Sequence, residues 1–512
     1  MGIKRRHWAL AAAPLALALL AATGCESTLG TRATPTAAPF TSGALSPSVA
    51  RVCAKPSAGP TKAPAGAVTV DPAVVGDLAA QTKSNPPNTT FWLRPGMHRL
   101  DPDRYAQVIP KEGDRYLGAP GAVLDGRKKN QYAFGGTAGN VTIRYLTVQG
   151  FVAPQNEGVV NHDSADGWVI EHATIQDNSG AGLMAGAHQR VRANCLRDNG
   201  QYGMNAYKNG GRISDLVVEG NEIAGNNTGD WERRRPGCGC TGGVKFWAVD
   251  GADVRGNWVH DNRGSGLWAD TDNNDFRIED NVLDANDGAA LIYEASYNAV
   301  IRRNTIRRNN WVEGRRYADR DDSFPVATIY LSESGGEPRI RARTDKIEIY
   351  RNVLENNWNG ITLWENADRF CNSPANTSSD DCTLLVRRPD RCARPAIATA
   401  PLYTDCRWKT QRVDIHGNRF VLDKSVVDCT VKCDRMALLA NYGTYPDWSP
   451  YKGDQVAEAI TRRQHNRWHD NVYLGPWKFV AHDPSRILDS GQWQGTPYQQ
   501  DAGSTLDPQA GG

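Results

Sequence analysis

One nine-residue pattern, apolar-x-x-Asn-x-apolar-x-x-Asn, recurs down the middle of the chain. It reads VRGNWVHDN from residue 254, IEDNVLDAN from 278, IRRNTIRRN from 301 and IYRNVLENN from 349. Related copies begin at 169, 191 and 217, and most are followed by a Gly-containing turn and another short apolar run. Where no insertion intervenes, the period is about 21 to 27 residues. A unit that short, with three brief strands and no helix, cannot enclose a core alone and must stack on its neighbours. Leucine-rich repeats share the length, but their Leu-x-x-Leu-x-Leu pattern is absent.

The recurring amides fall in two columns. Asn194, Asn221, Asn257, Asn281, Asn304 and Asn352 form one; Asn178, Asn199, Asn226, Asn262, Asn286, Asn309 and Asn357 form the other. Stacked about 4.8 Å apart, such side chains bond to one another and to corner backbone, a structural use rather than a ligand site.

The third strand of each repeat aligns on its first inward apolar residue: Val159, Leu183, Met204, Val244, Leu267, Leu291, Ile329 and Ile361. Strand side chains alternate faces, so residues one and three positions later point outward. One outward column then carries Lys245, Trp268 and Tyr330, and the other carries Tyr207, Trp247, Asp270, Glu294 and Trp364. Asp163, Asp272, Glu333 and Glu365 lie just beyond. A single exposed carboxylate is ordinary surface. Carboxylates and a lysine on three successive coils, flanked by aromatic rings, mark a contact surface.

These repeats resemble the pectate-lyase-like superfamily over most of residues 90 to 505. The resemblance implies an all-β fold, a single-stranded right-handed parallel β-helix of about ten coils. Insertions at 227–242 and 310–326 enter just before the third strand, and the Cys-rich segment 369–410 leaves just after it, so they are expected to wall a groove. The departure from the family is that neither a pectate-lyase arginine motif nor a polygalacturonase signature is present. NHDS at 161–164 is similar to an element of alginate C5-epimerases, but His162 stands about four coils from Asp270.

The two ends of the chain read differently. Residues 1–24 carry Lys4, Arg5 and Arg6, then an apolar run too short for a membrane span, then ATGC ending at Cys25. These parts resemble a lipoprotein-type export signal, which implies Cys25 as the lipidation site, with plain secretion as the alternative. Residues 25–66 form a Thr/Pro/Ala-rich tether, and 67–512 the β-helix domain. Without the signal, 56 of the 59 Lys and Arg face 57 Asp and Glu, so charge gives no case for nucleic acid. Eleven Cys less Cys25 leaves ten, read as up to five disulfides in an oxidising compartment. Cys53 would pin the tether to the body, and the Cys238/Cys240 pair lacks zinc-site partners.

The expected function is polysaccharide cleavage at a cell surface or in the medium by a monomer. Membrane contact runs only through the lipid anchor, and the partner is a polysaccharide or oligosaccharide substrate. Lys245, Asp270 and Glu294 are the candidate catalytic residues; Tyr207, Trp247, Trp268, Asp272, Tyr330 and Trp364 are the candidate substrate contacts. In glycoside hydrolysis Asp270 and Glu294 form the carboxylate pair. In uronate elimination Lys245 is the base, and acidic residues hold Ca²⁺ or the sugar carboxylate. No metal ligand set is otherwise evident. The alternative is a noncatalytic glycan-binding or adhesive surface protein, which would depend on the tryptophans and not on the titratable groups.

Overall fold

The computed structural model describes residues 51–510 apart from 56–57, 236–237, 336–341, 371–372, 374–406 and 428–432. Three sheets of 13, 13 and 11 strands run the length of the molecule. A typical coil contributes one strand to each sheet, as in Ala299–Arg302, Thr305–Arg307 and Ile329–Ser332, and the third sheet begins at Gly158–Val160. Pairing between coils is parallel, as in Ile301↔Ile349 and Ile306↔Leu354. The third sheet closes at its end with the antiparallel pair Phe479↔Leu488. Strand counts exceed the expected ten because coils are added at 68–125 and 413–507, where the Asn pattern is weak or missing.

The corners explain the repeat. The residue before each ladder Asn takes a positive φ, as at Asp280 (58°), Arg303 (54°) and Arg308 (56°). That left-handed step turns the chain sharply and points the next side chain inward. Asn257 N and Nδ2 both donate to Asn281 Oδ1 (3.0 and 2.9 Å), while Asn281 Nδ2 donates to Val254 O and Asn304 Oδ1 (2.9 and 3.0 Å). The column runs on through Asn352, Asn418 and Asn471 and ends on buried Asp501, which accepts from Asn471, Tyr473, Trp493 and Ser504. The second column runs from Asn178 to Asn357 in the same way. Apolar residues beside them, among them Val254, Ile278, Ile301 and Ile349, are fully buried.

The third sheet keeps the expected register from Leu183 to Ile361: Leu183↔Met204, Met204↔Val244, Val244↔Leu267, Leu267↔Leu291, Leu291↔Ile329 and Ile329↔Ile361. It differs at the first strand, where Val160 rather than Val159 faces Leu183. Both valines are fully buried, so alternation offered nothing to choose between them. The segment YKGDQVAEAITRRQH contains the short helix Ala459–Arg462, as its composition implies.

Part of the expected tether lies on the solenoid. Cys53 is disulfide-bonded to Cys195, its N–H donates to Glu222 Oε2 (2.8 Å), and Pro60 O accepts from Trp92 Nε1 (3.0 Å). Cys238 is bonded to Cys240. Cys25, Cys429 and the cysteines of the 369–410 segment fall outside the described residues.

Asn281→Ala deletes two donated and two accepted bonds in a dry corner and leaves neighbouring polar groups unpaired. The expected loss is about 2–4 kcal/mol in denaturant unfolding. A change within about 0.5 kcal/mol would show that the column carries no stability.

Candidate functional site

Lys245, Asp270 and Glu294 stand on three consecutive strands of the third sheet, Val244–Trp247, Leu267–Asp270 and Leu291–Glu294. Register sets Lys245 beside Trp268, and Trp247 beside Asp270. Lys245 Nζ lies 2.8 Å from Asp270 Oδ2 and 4.2 Å from the Trp268 ring centre, and it donates to Gly239 O. Thr271 Oγ1 donates to the other Asp270 oxygen (2.9 Å). Trp268 Nε1 donates to Glu294 Oε2 (3.2 Å).

Glu294 meets a second cation. Arg369 donates to Glu294 Oε1 (2.7 Å) and its other arm lies 3.1 Å from Glu333 Oε2. Glu333 also accepts from Asn366 N (3.0 Å). The face therefore carries two ion-paired groups side by side, Lys245 with Asp270, and Arg369 between Glu294 and Glu333. The row was expected to be open, but these side chains are mostly covered. Asp270 is 4% exposed, Lys245 13% and Glu294 11%. The cover comes from the insertions: Gly239 from one and Arg369 from the start of the Cys-rich segment.

Electrostatics follow from that burial. Desolvation pulls the Lys245 ammonium down, but Asp270 outweighs it and pushes the pKa up to about 12. Burial pushes Glu333 well above the usual carboxylate range against the pull of Arg369, and Asp368 is raised for the same reason. Lys245 is thus held as a cation, and Glu333 is inclined to keep its proton.

The aromatic contacts divide. Trp268 sits between Lys245 and Glu294 with Gly239 against its ring, which makes it a spacer inside the cluster. Tyr330 and Trp364 stack loosely on each other (6.0 Å) beneath Phe324 of the 310–326 insertion, which lies 6.1 and 5.4 Å away. Trp247 is half-buried and Tyr207 is 39% exposed. Asp272 belongs to a separate ion pair with Arg212, which also holds Asp250 (2.5 Å). His162 stacks on Tyr132 (3.6 Å), four strands from Asp270 in the third sheet. Glu365 is buried against Arg407 and accepts from Gln464 Nε2 (2.6 Å), which ties the 407–464 region to the coil.

Three residues were not legible in advance: Arg369, Gly239 and Trp448. Trp448 is 46% exposed, whereas every other described tryptophan is buried or half-buried. It stands 6.1 Å from Phe370, next to Arg369, on a segment held by Ala367 N→Thr444 O (2.9 Å) and Ser449 Oγ→Ala367 O (2.5 Å). None of the three lies in the repeat, so no periodicity marks them.

Calcium fits this arrangement poorly. The ion takes six to eight oxygen ligands, and among the described residues no three His, Cys, Asp or Glu side chains converge for a metal. Asp270, Glu294 and Glu333 each face Lys245 or Arg369 instead.

Glu333 gives a signed pH dependence. The unfolded chain loses that proton near the ordinary value of 4.5, while the native chain keeps it to higher pH. The native state then binds more protons, so this group's contribution to stability falls as pH rises above that value. Glu333→Gln should remove part of the decline in melting temperature between about pH 5 and pH 9; parallel curves for variant and wild type would contradict the assignment.

Residues 157–373 match the family described as right handed beta helix region. No curated protein matched the sequence. Among solved structures the chain is similar to the A-modules of two Azotobacter vinelandii mannuronan C-5 epimerases. For AlgE4 the identity is 14% and the TM-score 0.45, over 86% of this chain and 97% of that one. For AlgE6 they are 12% and 0.41, over 84% and 93%. A PL6 alginate lyase in complex with a trisaccharide gives 9% and 0.35, over 87% and 85%. The three parallel sheets and the match over residues 157–373 together show a right-handed parallel β-helix fold.

Proposed function

We propose that this protein cleaves an extended polysaccharide along the outer face of its third sheet, using carboxylate chemistry at Asp270 and Glu294. The observation that carries the reading is the row of Lys245, Asp270 and Glu294, set side by side by coil register and met by Arg369 from the segment after the strand, between exposed aromatic rings. Seven strands, from Met204–Ala206 to Leu438–Thr444, separate Tyr207 from Trp448. At about 4.8 Å per strand the face is on the order of 30 Å long, room for several sugar rings. Aromatic faces stack on the C–H faces of sugars, while carboxylates and amides take the hydroxyls.

Glu294 is the more exposed of the two carboxylates and is the one that meets the substrate in this reading; Asp270 is its partner and the counter-ion of Lys245. Elimination by Lys245 would require a neutral amine, and the Asp270 pair opposes that. Two disulfides among the described residues support an oxidising compartment. We place the protein outside the cytoplasm on a lipid at Cys25. Mass spectrometry of the mature N-terminus should find that cysteine acylated; an unmodified terminus elsewhere would remove the anchor.

The test is a panel of acidic and neutral polysaccharides, followed by reducing ends and by ultraviolet absorbance of unsaturated products. Glu294→Gln and Asp270→Asn should each abolish turnover. Asp270→Asn should also cost about 3 kcal/mol, because it strands Lys245 in a buried site. Lys245→Met should weaken cleavage; its abolition together with unsaturated products would establish elimination instead. Trp448→Ala should raise KM and leave kcat. Retention of polymer with no product from the wild type would leave a binding protein.

A further inference from the structure

We infer that the small ring closed by the Cys238–Cys240 disulfide is a positioning device for Lys245, presenting the Gly239 carbonyl to the ammonium group and keeping it on Asp270. An ammonium group has three N–H donors. Here one meets Asp270 Oδ2 (2.8 Å), one meets Gly239 O, and the group lies over the Trp268 ring (4.2 Å). The carbonyl is therefore one of three partners that together satisfy the cation.

The ring is built to hold that carbonyl still. Gly239 takes φ +55°, and a Cβ there would come within 3.1 Å of Trp268 Cη2, so glycine allows the turn to lie this close. Tyr202 Oη also donates to Gly239 O (3.4 Å). Cys240 is buried with Tyr202 and Ala181, its carbonyl accepts from Gln201 Nε2 (3.1 Å), and Gln155 Nε2 reaches its sulfur (3.5 Å). Cys238 packs on the edge of the same cluster. One end of the ring is fixed by packing, and the disulfide fixes the other, so the single residue between them has little freedom. Opening the ring would free Gly239 to swing away and leave Lys245 with two partners and a wider path to solvent. This inference rests on the geometry at Lys245 and holds whatever polymer the groove takes.

The test is competitive acylation of the intact protein with acetic anhydride across a pH series, with Lys245 followed by peptide mass spectrometry. Cys238→Ser/Cys240→Ser should acylate Lys245 about tenfold faster at a fixed pH, the effect of lowering its pKa by one unit, with other lysines unchanged. Cys53→Ser/Cys195→Ser should lower the melting temperature and leave the Lys245 pH profile as in wild type. This separates positioning from general stabilisation. Gly239→Ala, which keeps the disulfide but pushes against Trp268, supplies a second reading should the double variant fail to fold, and it should also speed the labelling. Wild-type labelling of Lys245 in a folded Cys238→Ser/Cys240→Ser protein, or in Gly239→Ala alone where the double variant does not fold, would overturn the inference.

Discussion

Everything in this molecule depends on how firmly one coil is held in register on the next, and the paired asparagine columns supply that hold. Parallel strands of three or four residues offer few hydrogen bonds each, and a slip of one residue would exchange the inner and outer faces. Each buried amide accepts from the backbone and the side chain of the preceding coil and donates to the following one. A slip would break these bonds at two corners of every coil at once, in places that water does not reach. The columns therefore enforce a single register over many short strands.

The charged row inherits its geometry from that register. Trp247 faces Asp270 and Lys245 faces Trp268 because Val244 faces Leu267, on the strands that follow the second asparagine column. Once aligned, the ionisable groups are covered by chain that does not belong to the repeat. Buried ion pairs rarely stabilise more than well-packed apolar residues of the same volume. A fold seeking stability alone would have placed aliphatic side chains here, as it does on the inner face at Leu267, Leu291 and Ile329. The cost of burying Lys245, Arg369 and their carboxylates points to use.

The sequence was informative wherever the signal was local. The period of two within strands and the spacing of the asparagines were enough to align the third sheet from Leu183 to Ile361 and so to bring Lys245, Asp270 and Glu294 together. It failed where contacts are long-range. Arg369 reaches Glu294 across 75 positions of sequence, and Phe324 and Gly239 descend on the face from insertions without periodicity. For that reason the row was expected to be open and Trp268 to be free for a sugar, whereas the structure covers both in part. The outer coils were harder to read because at 68–125 ring stacking such as Phe91 on Tyr116 (5.1 Å) stands where the amides are missing, and at 413–507 the first amide column goes on alone through Asn418 and Asn471, with Phe420 on Tyr473 (4.9 Å) beside it.

The claim that the third sheet carries the working site is tested most directly by a crystal structure of Glu294→Gln soaked with an oligosaccharide that the wild type cleaves. Sugar density should then cross the sheet between Tyr207 and Trp448, with a glycosidic oxygen beside residue 294. Density confined to another surface, such as the helix Trp311–Asp319 with its exposed Val312 and Arg315, would contradict it.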